Sequence, residues 1–432
     1  MIDAVMAPGA ARASLAMSEN PRLRLAAMFL LYVSQGLPLG LIEFALAAWL
    51  AQNGVSAAAI GGVLALVMLP WTFKLVYGFV MDRYAFLAMG RRRPWIILGQ
   101  SGLVATLVAM AVVNPDPGQI GLIGAFAFML GLWSAVQDVA VDGLAVDILP
   151  PEEIERVNGV LFGGQAIGLA VGTALGGYLI AWHGLAAAAQ ALAAMLLPIL
   201  FLVLAVRERP GERLLPWTKG SALQRNLDLH IGAFGPIIRN LLAAMFTRQT
   251  LLLVPALIAS NAVWGIFLGL GPLFSADVLG WEKAVYSGWS SQASLLAGIA
   301  GGLAFGLAAA RWGARRMFGL GAVAYAACAV AMLLAQDQWN QPAIYIGAMF
   351  AFTALRVLSM VTFGSVAMRL CVPGIAATQF AVFMAIANLG KTASSASLGW
   401  LDSLGGYSAM FTAMALCGVI AALFAFIARV GR

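Results

Sequence analysis

An apolar run of about 20 residues, long enough to cross a bilayer, recurs along this chain near 25–51, 56–80, 94–113, 120–148, 157–181, 185–206, 251–275, 285–310, 317–335, 342–368, 377–400 and 406–428. Such a chain has lipid for its solvent. In lipid each backbone amide must find its partner inside its own segment, so the runs are helices. The breaks carry turn residues or charge: QNGVS at 52–56, NPDPGQ at 114–119, PPEEIER at 150–156 and QDQWNQ at 336–341. The widest break, 207–250, contains RERPGER and then a mildly amphipathic stretch ending at Arg248. It separates two sets of six. The expected fold is an all-α membrane protein of twelve transmembrane helices in two pseudo-repeated six-helix bundles, 25–206 and 251–428. An N-terminal segment 1–24, a central loop 207–250 and a C-terminal segment 429–432 complete it.

Composition agrees, with 62% hydrophobic and 10% charged residues, where soluble proteins carry about 25% charged. A net charge of +7 would suit nucleic acid, but the placement of the charges points elsewhere. With the N-terminus in the cytoplasm, the basic residues gather in the inward segments. Of the 25 Lys and Arg, only Lys283 falls on the opposite side, and Lys74, Arg356 and Lys391 lie within spans. That bias is the topological signal of a multi-pass protein, here of an inner membrane, and it explains the charge without a nucleic acid partner. Residues 1–24 hold no short apolar core with a small-residue cleavage site, so no removable leader is expected. Cys328, Cys371 and Cys417 are far apart in or beside apolar runs and read as small hydrophobes. His183 and His230 have no catalytic partner nearby, and there is no Walker lysine motif, HExxH, nucleophile elbow or metal-ligand cluster. The chain is expected to be no enzyme and to hold no cofactor or metal. Gradient-driven transport by a monomer, with a small solute and protons as partners, is the economical reading.

The stretch from Pro70 to Trp95, PWTFKLVYGFVMDRYAFLAMGRRRPW, ends a span in a compact cluster: Gly78, Asp82, Arg83, then Gly90, Arg91, Arg92 and Arg93. After the eighth run, GLAAARWGARR repeats the glycines and arginines as Gly306, Arg311, Gly313, Arg315 and Arg316, with Ala310 where the first copy has Asp82. Glycines also recur every four residues, as Gly164, Gly168, Gly172 and Gly176 in the fifth run and Gly298, Gly302 and Gly306 in the eighth. Such stripes let helix backbones approach closely, and paired stripes suit helices that slide at the seam between two halves.

These features resemble the major facilitator superfamily. SQGLPLGL (34–41), LPWTFKLVYGFVMDRY (69–84), GRRRPWI (90–96), QDVAVDGLAVDILPPEE (137–153) and AATQFAVFMAIANLGK (376–391) resemble its peptide–acetyl-CoA transporter group, which includes muropeptide permeases, siderophore permeases and acetyl-CoA carriers. The resemblance implies the major facilitator fold and a secondary active, proton-coupled importer working by alternating access. Its solute would be medium-sized, polar or amphipathic and anionic: a muropeptide or siderophore first, an acyl-CoA-like molecule behind them. Some muropeptide permeases carry helices beyond twelve, so the shorter siderophore branch fits as well. A facilitator-like assembly factor that moves no solute is the reading from a different class.

Ionisable groups within spans each cost about 2.5–3.5 kcal/mol on insertion scales, so each needs a partner or a wet cavity. Glu43 follows Gln35 in the first run; Lys74 lies in the inner half of the second; Asp138 and Asp142 share one face of the fourth. Arg356 is near the middle of the tenth run, and Lys391 of the eleventh, with Asn388 one turn before it. Lys74 and Asp138 both sit roughly 18 residues from the outer ends of their runs, which predicts a pair, with Asp142 nearer the cytoplasm. A static pair that fixes geometry and a protonation switch are both open. For Glu43, proton binding and a hydrogen bond to a neighbouring helix are open. For Arg356 and Lys391, contact with an anionic solute and pairing with Glu43 as a gate are open. Asp82 is expected to pair with Arg83 or the Arg91–Arg93 block and to accept hydrogen bonds from a helix N-terminus of the other half, a latch on the cytoplasmic side.

Overall fold

The computed structural model describes residues 15–428. The expected tail 429–432, and the first 14 residues of the expected N-terminal segment, lie outside the described residues. Apart from one backbone bridge between Ala16 and Arg207, the described elements are helices. The first four crossings are α1 (Pro21–Gln52), α2 (Ala59–Arg83), α3 (Arg93–Val113) and α4 (Ile120–Ile148). Asn20 opens α1 by accepting from the Leu23 N–H at 3.1 Å, and Ser56 opens α2 in the same way through the Ala59 N–H.

Ile154–Ala205 is continuous over 52 residues, which as a straight rod would measure about 78 Å. It is bent back on itself. Gly184 adopts φ 83°, and both ends meet the same N-terminal segment: Arg24 pairs with Glu153 at 2.7 Å, while the Met17 N–H donates to the Arg207 carbonyl at 2.9 Å. The arms are two crossings, α5 (154–183) and α6 (185–205). Next come α7 (Arg248–Asp277), α8 (Val285–Trp312), α9 (Ala314–Leu334) and α10 (Pro342–Leu370). Then follows α11 (Ala376–Ala396), which carries Gln379, Asn388 and Lys391. Gly406, at φ 60°, then turns the chain into α12 (407–427). These divisions are consistent with the twelve expected crossings.

One boundary differs from expectation. Arg24 belongs to α1 and is buried against Glu153, because a carboxylate of the α4–α5 turn reaches it. In the central segment the amphipathic stretch is a helix, Phe234–Met245, which lays Ile237, Leu241 and Ala244 against Phe79 of α2 and Val382 of α11.

The glycine stripe of α5 has a different neighbour from the one expected. A β-carbon on Gly168 would lie 2.2 Å from the Val33 carbonyl oxygen, and one on Gly172 2.1 Å from that of Leu37. Gly164, Gly168, Gly172 and Gly176 therefore seat α1 inside the N-terminal bundle. Another face of α5 meets the seam, where a β-carbon on Gly159 would lie 2.5 Å from the Gly302 carbonyl oxygen. On α8, Gly298, Gly302 and Gly306 do face the other bundle. Gly168→Ala is expected to destabilise the protein by about 1–3 kcal/mol, read as a lower thermal midpoint in detergent. An unchanged midpoint would mean that α1 and α5 can part freely.

Contacts between the bundles gather at the end that carries the arginines, where α2 meets α11 and α5 meets α8 and α10. Towards the opposite end, a cavity of about 310 Å³ opens between α5 and α8, lined by Phe44, Leu169, Thr173, Ser290 and Ser294 among others.

Candidate functional site: a latch, a buried charge network and a mid-membrane trio

Gly78 is one of the points where the two bundles meet backbone to backbone at the basic end. A β-carbon there would lie 2.8 Å from Thr378 Cα, so glycine is what admits the N-terminus of α11. One turn on, an Asp82 oxygen accepts from the Thr378 N–H at 2.9 Å and from its hydroxyl at 2.7 Å. A helix N-terminus offers unpaired N–H groups and partial positive charge. The other Asp82 oxygen accepts from Arg92 at 2.5 Å, and the Arg92 Nε donates to Asp147 at 3.0 Å. Arg91 donates to Asp147 at 3.1 Å and, across the seam, to the Gly374 carbonyl at 3.0 Å. Burial opposes the Arg92 charge, yet Asp82 and Asp147 hold the guanidinium above its ordinary pKa.

Arg93 faces away from the seam and donates to the Val203 and Leu204 carbonyls at 2.9 and 2.8 Å, closing the last turn of α6. The Glu208 carboxylate accepts the backbone N–H groups of Arg91, Arg92 and Arg93 at 3.0, 2.6 and 2.5 Å. Burial raises its pKa, and those three N–H groups pull the other way. Gly90 adopts φ 101°, and a β-carbon there would come 2.4 Å from the Glu208 carboxyl carbon, so the position needs glycine twice over. Arg83 has no ion pair with Asp82; its guanidinium lies 4.8 Å from the centre of the Tyr84 ring.

The second copy is built differently. Ala310 supplies no acid, Arg311 and Arg316 are exposed without an ion pair among the described residues, and Arg315 donates to the Phe426 and Ala428 carbonyls. Arg311, Arg315 and Arg316 thus form no mirror image of the Asp82 latch. The acid comes from the other bundle: Glu155, in the first turn of α5, accepts from the Nε and Nη2 of Arg369 at 2.9 and 2.7 Å. Arg369→Ala would leave Glu155 buried without its cation, at about 3–5 kcal/mol against the closed state. Faster labelling of cysteines placed along the α5–α8 seam is the expected readout, and unchanged labelling would deny Arg369 a part in closure.

Within the N-terminal bundle, Pro70 interrupts α2 and the chain tightens into a 3₁₀ turn over Leu69–Phe73. Lys74 follows and forms a buried ion pair with Asp138. Its ammonium also lies 4.5 Å from the Trp71 ring centre. The second Asp138 oxygen accepts from the Gln35 Nε2 at 2.9 Å, and the Gln35 Oε1 accepts from Gln165 at 2.5 Å. Asp142 accepts from the Tyr32 hydroxyl at 2.6 Å and has no ion pair among the described residues. Lys74 thus neutralises Asp138 alone, and Asp142, one turn on, has the Tyr32 hydroxyl in place of a cation.

Glu43 lies in a widened π-helical turn, Leu41–Leu46. It is half-buried and makes no hydrogen bond or ion pair among the described residues. Its electrostatic neighbour is Lys391 of α11, whose own neighbour is Arg356 of α10. Arg356 donates to Asn261 at 3.1 Å and lies 5.7 Å from the Trp264 ring centre. Asn388 is exposed beside Lys391. The buried network therefore takes Gln35, Lys74, Asp138 and Asp142, and the trio Glu43, Arg356 and Lys391 spans the two bundles without a direct pair. Sequence reading missed Tyr32, Asp147, Glu155, Gln165, Glu208 and Thr378. Asp147 and Thr378 stand within motif stretches already singled out, and Glu208 within RERPGER.

The family model of the Major Facilitator Superfamily matches residues 28–395. The anhydromuropeptide permease of Escherichia coli (strain K12) is 26% identical over 392 residues, which cover 90% of this chain and 76% of the permease. A bacterial homologue of the iron transporter ferroportin, solved in its outward-facing state, matches with TM-score 0.68 at 12% identity, over 93% of this chain and 98% of that one. A human organic anion transporter matches with TM-score 0.66 at 14% identity, over 94% and 99%.

Proposed function

Since this chain belongs to the major facilitator superfamily, we propose that it is a proton-coupled importer of a muropeptide-like anion across an inner membrane. Its basic side faces the cytoplasm by the charge bias of the loops. The observation that carries the reading is the trio: Lys391 lies between Arg356 of its own bundle and Glu43 of the other, with no ion pair among them. Two cations against one carboxylate leave a surplus positive charge, which suits a solute that brings its own carboxylates. The relative named an anhydromuropeptide permease favours a muropeptide over a siderophore or an acyl-CoA-like molecule. Contacts gathered at the cytoplasmic end support an outward-open conformation, and breaking the Asp82–Thr378 and Glu155–Arg369 links would open the inward one. The proton belongs to the Asp138–Asp142 pair, two buried carboxylates of which one alone is paired with the Lys74 ammonium.

Uptake of a radiolabelled anhydromuropeptide into proteoliposomes tests this directly. Acid outside should drive accumulation, an uncoupler should collapse it, and Asp138→Asn should abolish the response to pH while the protein stays folded. Uptake indifferent to the gradient would sink proton coupling. Uptake of a ferric siderophore but no muropeptide would replace the solute.

A further inference from the structure

We propose that the turn between α8 and α9, with the end of α10, forms a phosphate-binding site on the basic side of the protein. A cavity of about 480 Å³ there is lined by Arg311, Arg315, Arg316 and Arg369, with Glu155 the one acid and Trp312 among its walls. The first copy of the motif shows what such a cluster needs. There Arg91 and Arg92 are satisfied by Asp82 and Asp147, and the backbone that carries them is held by Glu208.

Among the described residues, Glu155 is the one acid that lines the second copy's cavity. Ala310, which lines the same cavity, stands in place of Asp82. The Glu155 carboxylate is already taken by Arg369. Arg311 and Arg316 make no hydrogen bond or ion pair among the described residues. Arg315 spends its Nη1 on two carbonyls at the end of α12, which fixes its guanidinium without neutralising it.

A cavity with surplus guanidinium groups matches the oxygens of a phosphate, which a guanidinium can grip in pairs. The source is either an anionic phospholipid headgroup or a soluble phosphate compound. Trp312, 56% exposed, is the residue type that favours a membrane interface.

The test uses purified full-length protein stripped of lipid. One arm titrates phosphatidylglycerol against phosphatidylcholine in micelles, and the other titrates inorganic pyrophosphate; binding is followed by native mass spectrometry and thermal midpoint. R311Q/R315Q/R316Q should weaken binding by at least about tenfold. R225Q/R239Q/R248Q, which removes the same charge from exposed positions on the same side, should not. Ala310→Asp keeps every arginine but restores the missing acid inside the cavity, and it should abolish binding. Binding in the lipid arm alone assigns a headgroup; binding in the pyrophosphate arm alone assigns a soluble phosphate. No preference for phosphatidylglycerol together with no pyrophosphate binding would overturn the site. So would equal losses in both triple variants, or full binding by Ala310→Asp.

Discussion

Asp82→Ala is expected to abolish transport while the protein still folds. The carboxylate is 1% exposed and serves two partners, Arg92 within its own bundle and Thr378 at the N-terminus of α11 in the other. Losing one member of a buried charge pair costs about 3–5 kcal/mol, but Asp147 remains on Arg92 and spares the N-terminal bundle. The cost therefore falls on the closed seam. In a C328S/C417S background, Cys371 should then react faster with a permeant thiol reagent, since it follows α10 on the same side. Asp82→Asn keeps an acceptor for Thr378 and loses the charge on Arg92, so its loss should be partial. An Asp82→Ala protein with full transport rate would end the case for a latch.

Lys74→Met is expected to be the most destabilising single change in the buried network. Asp138, 4% exposed, would keep its hydrogen bond from Gln35 and lose its cation. The expected cost is again about 3–5 kcal/mol. Lys74→Met with Asp138→Asn removes both charges and should recover most of the thermal midpoint. This double variant decides between the two readings of the pair. A static brace predicts that the recovered protein transports; a protonation site predicts that it is folded and blind to the pH gradient. Gradient-driven uptake at the parent rate would reject the second reading.

Much of this was legible in the chain. The expectation of a Lys74–Asp138 pair needed only equal depth in two adjacent spans, because lipid leaves a buried charge few places to go. The Asp82 contact with a helix N-terminus was legible from the motif and its resemblance: an acid at the end of a span needs a donor, and a helix N-terminus offers unpaired N–H groups. Duplication of the motif was legible as to residues and not as to partners: Ala310 already removed the acid from the second copy, but that Glu155 of α5 engages Arg369 there was not visible in the repeat. The glycine stripe misled, since spacing shows that a helix face is bare and not which helix covers it.

What the sequence determined by itself is the solvent, the number and order of the crossings, the bias of charge to one side, and which charged groups must find partners. Each follows from local chemistry, apolar length, turn residues and the cost of charge in lipid. Only the tertiary structure decided the partners themselves. Thr378 is 296 residues from Asp82, and Arg369 is 214 from Glu155. Helix rotation and tilt, which set those meetings, come from the packing of whole bundles, and no single segment encodes them.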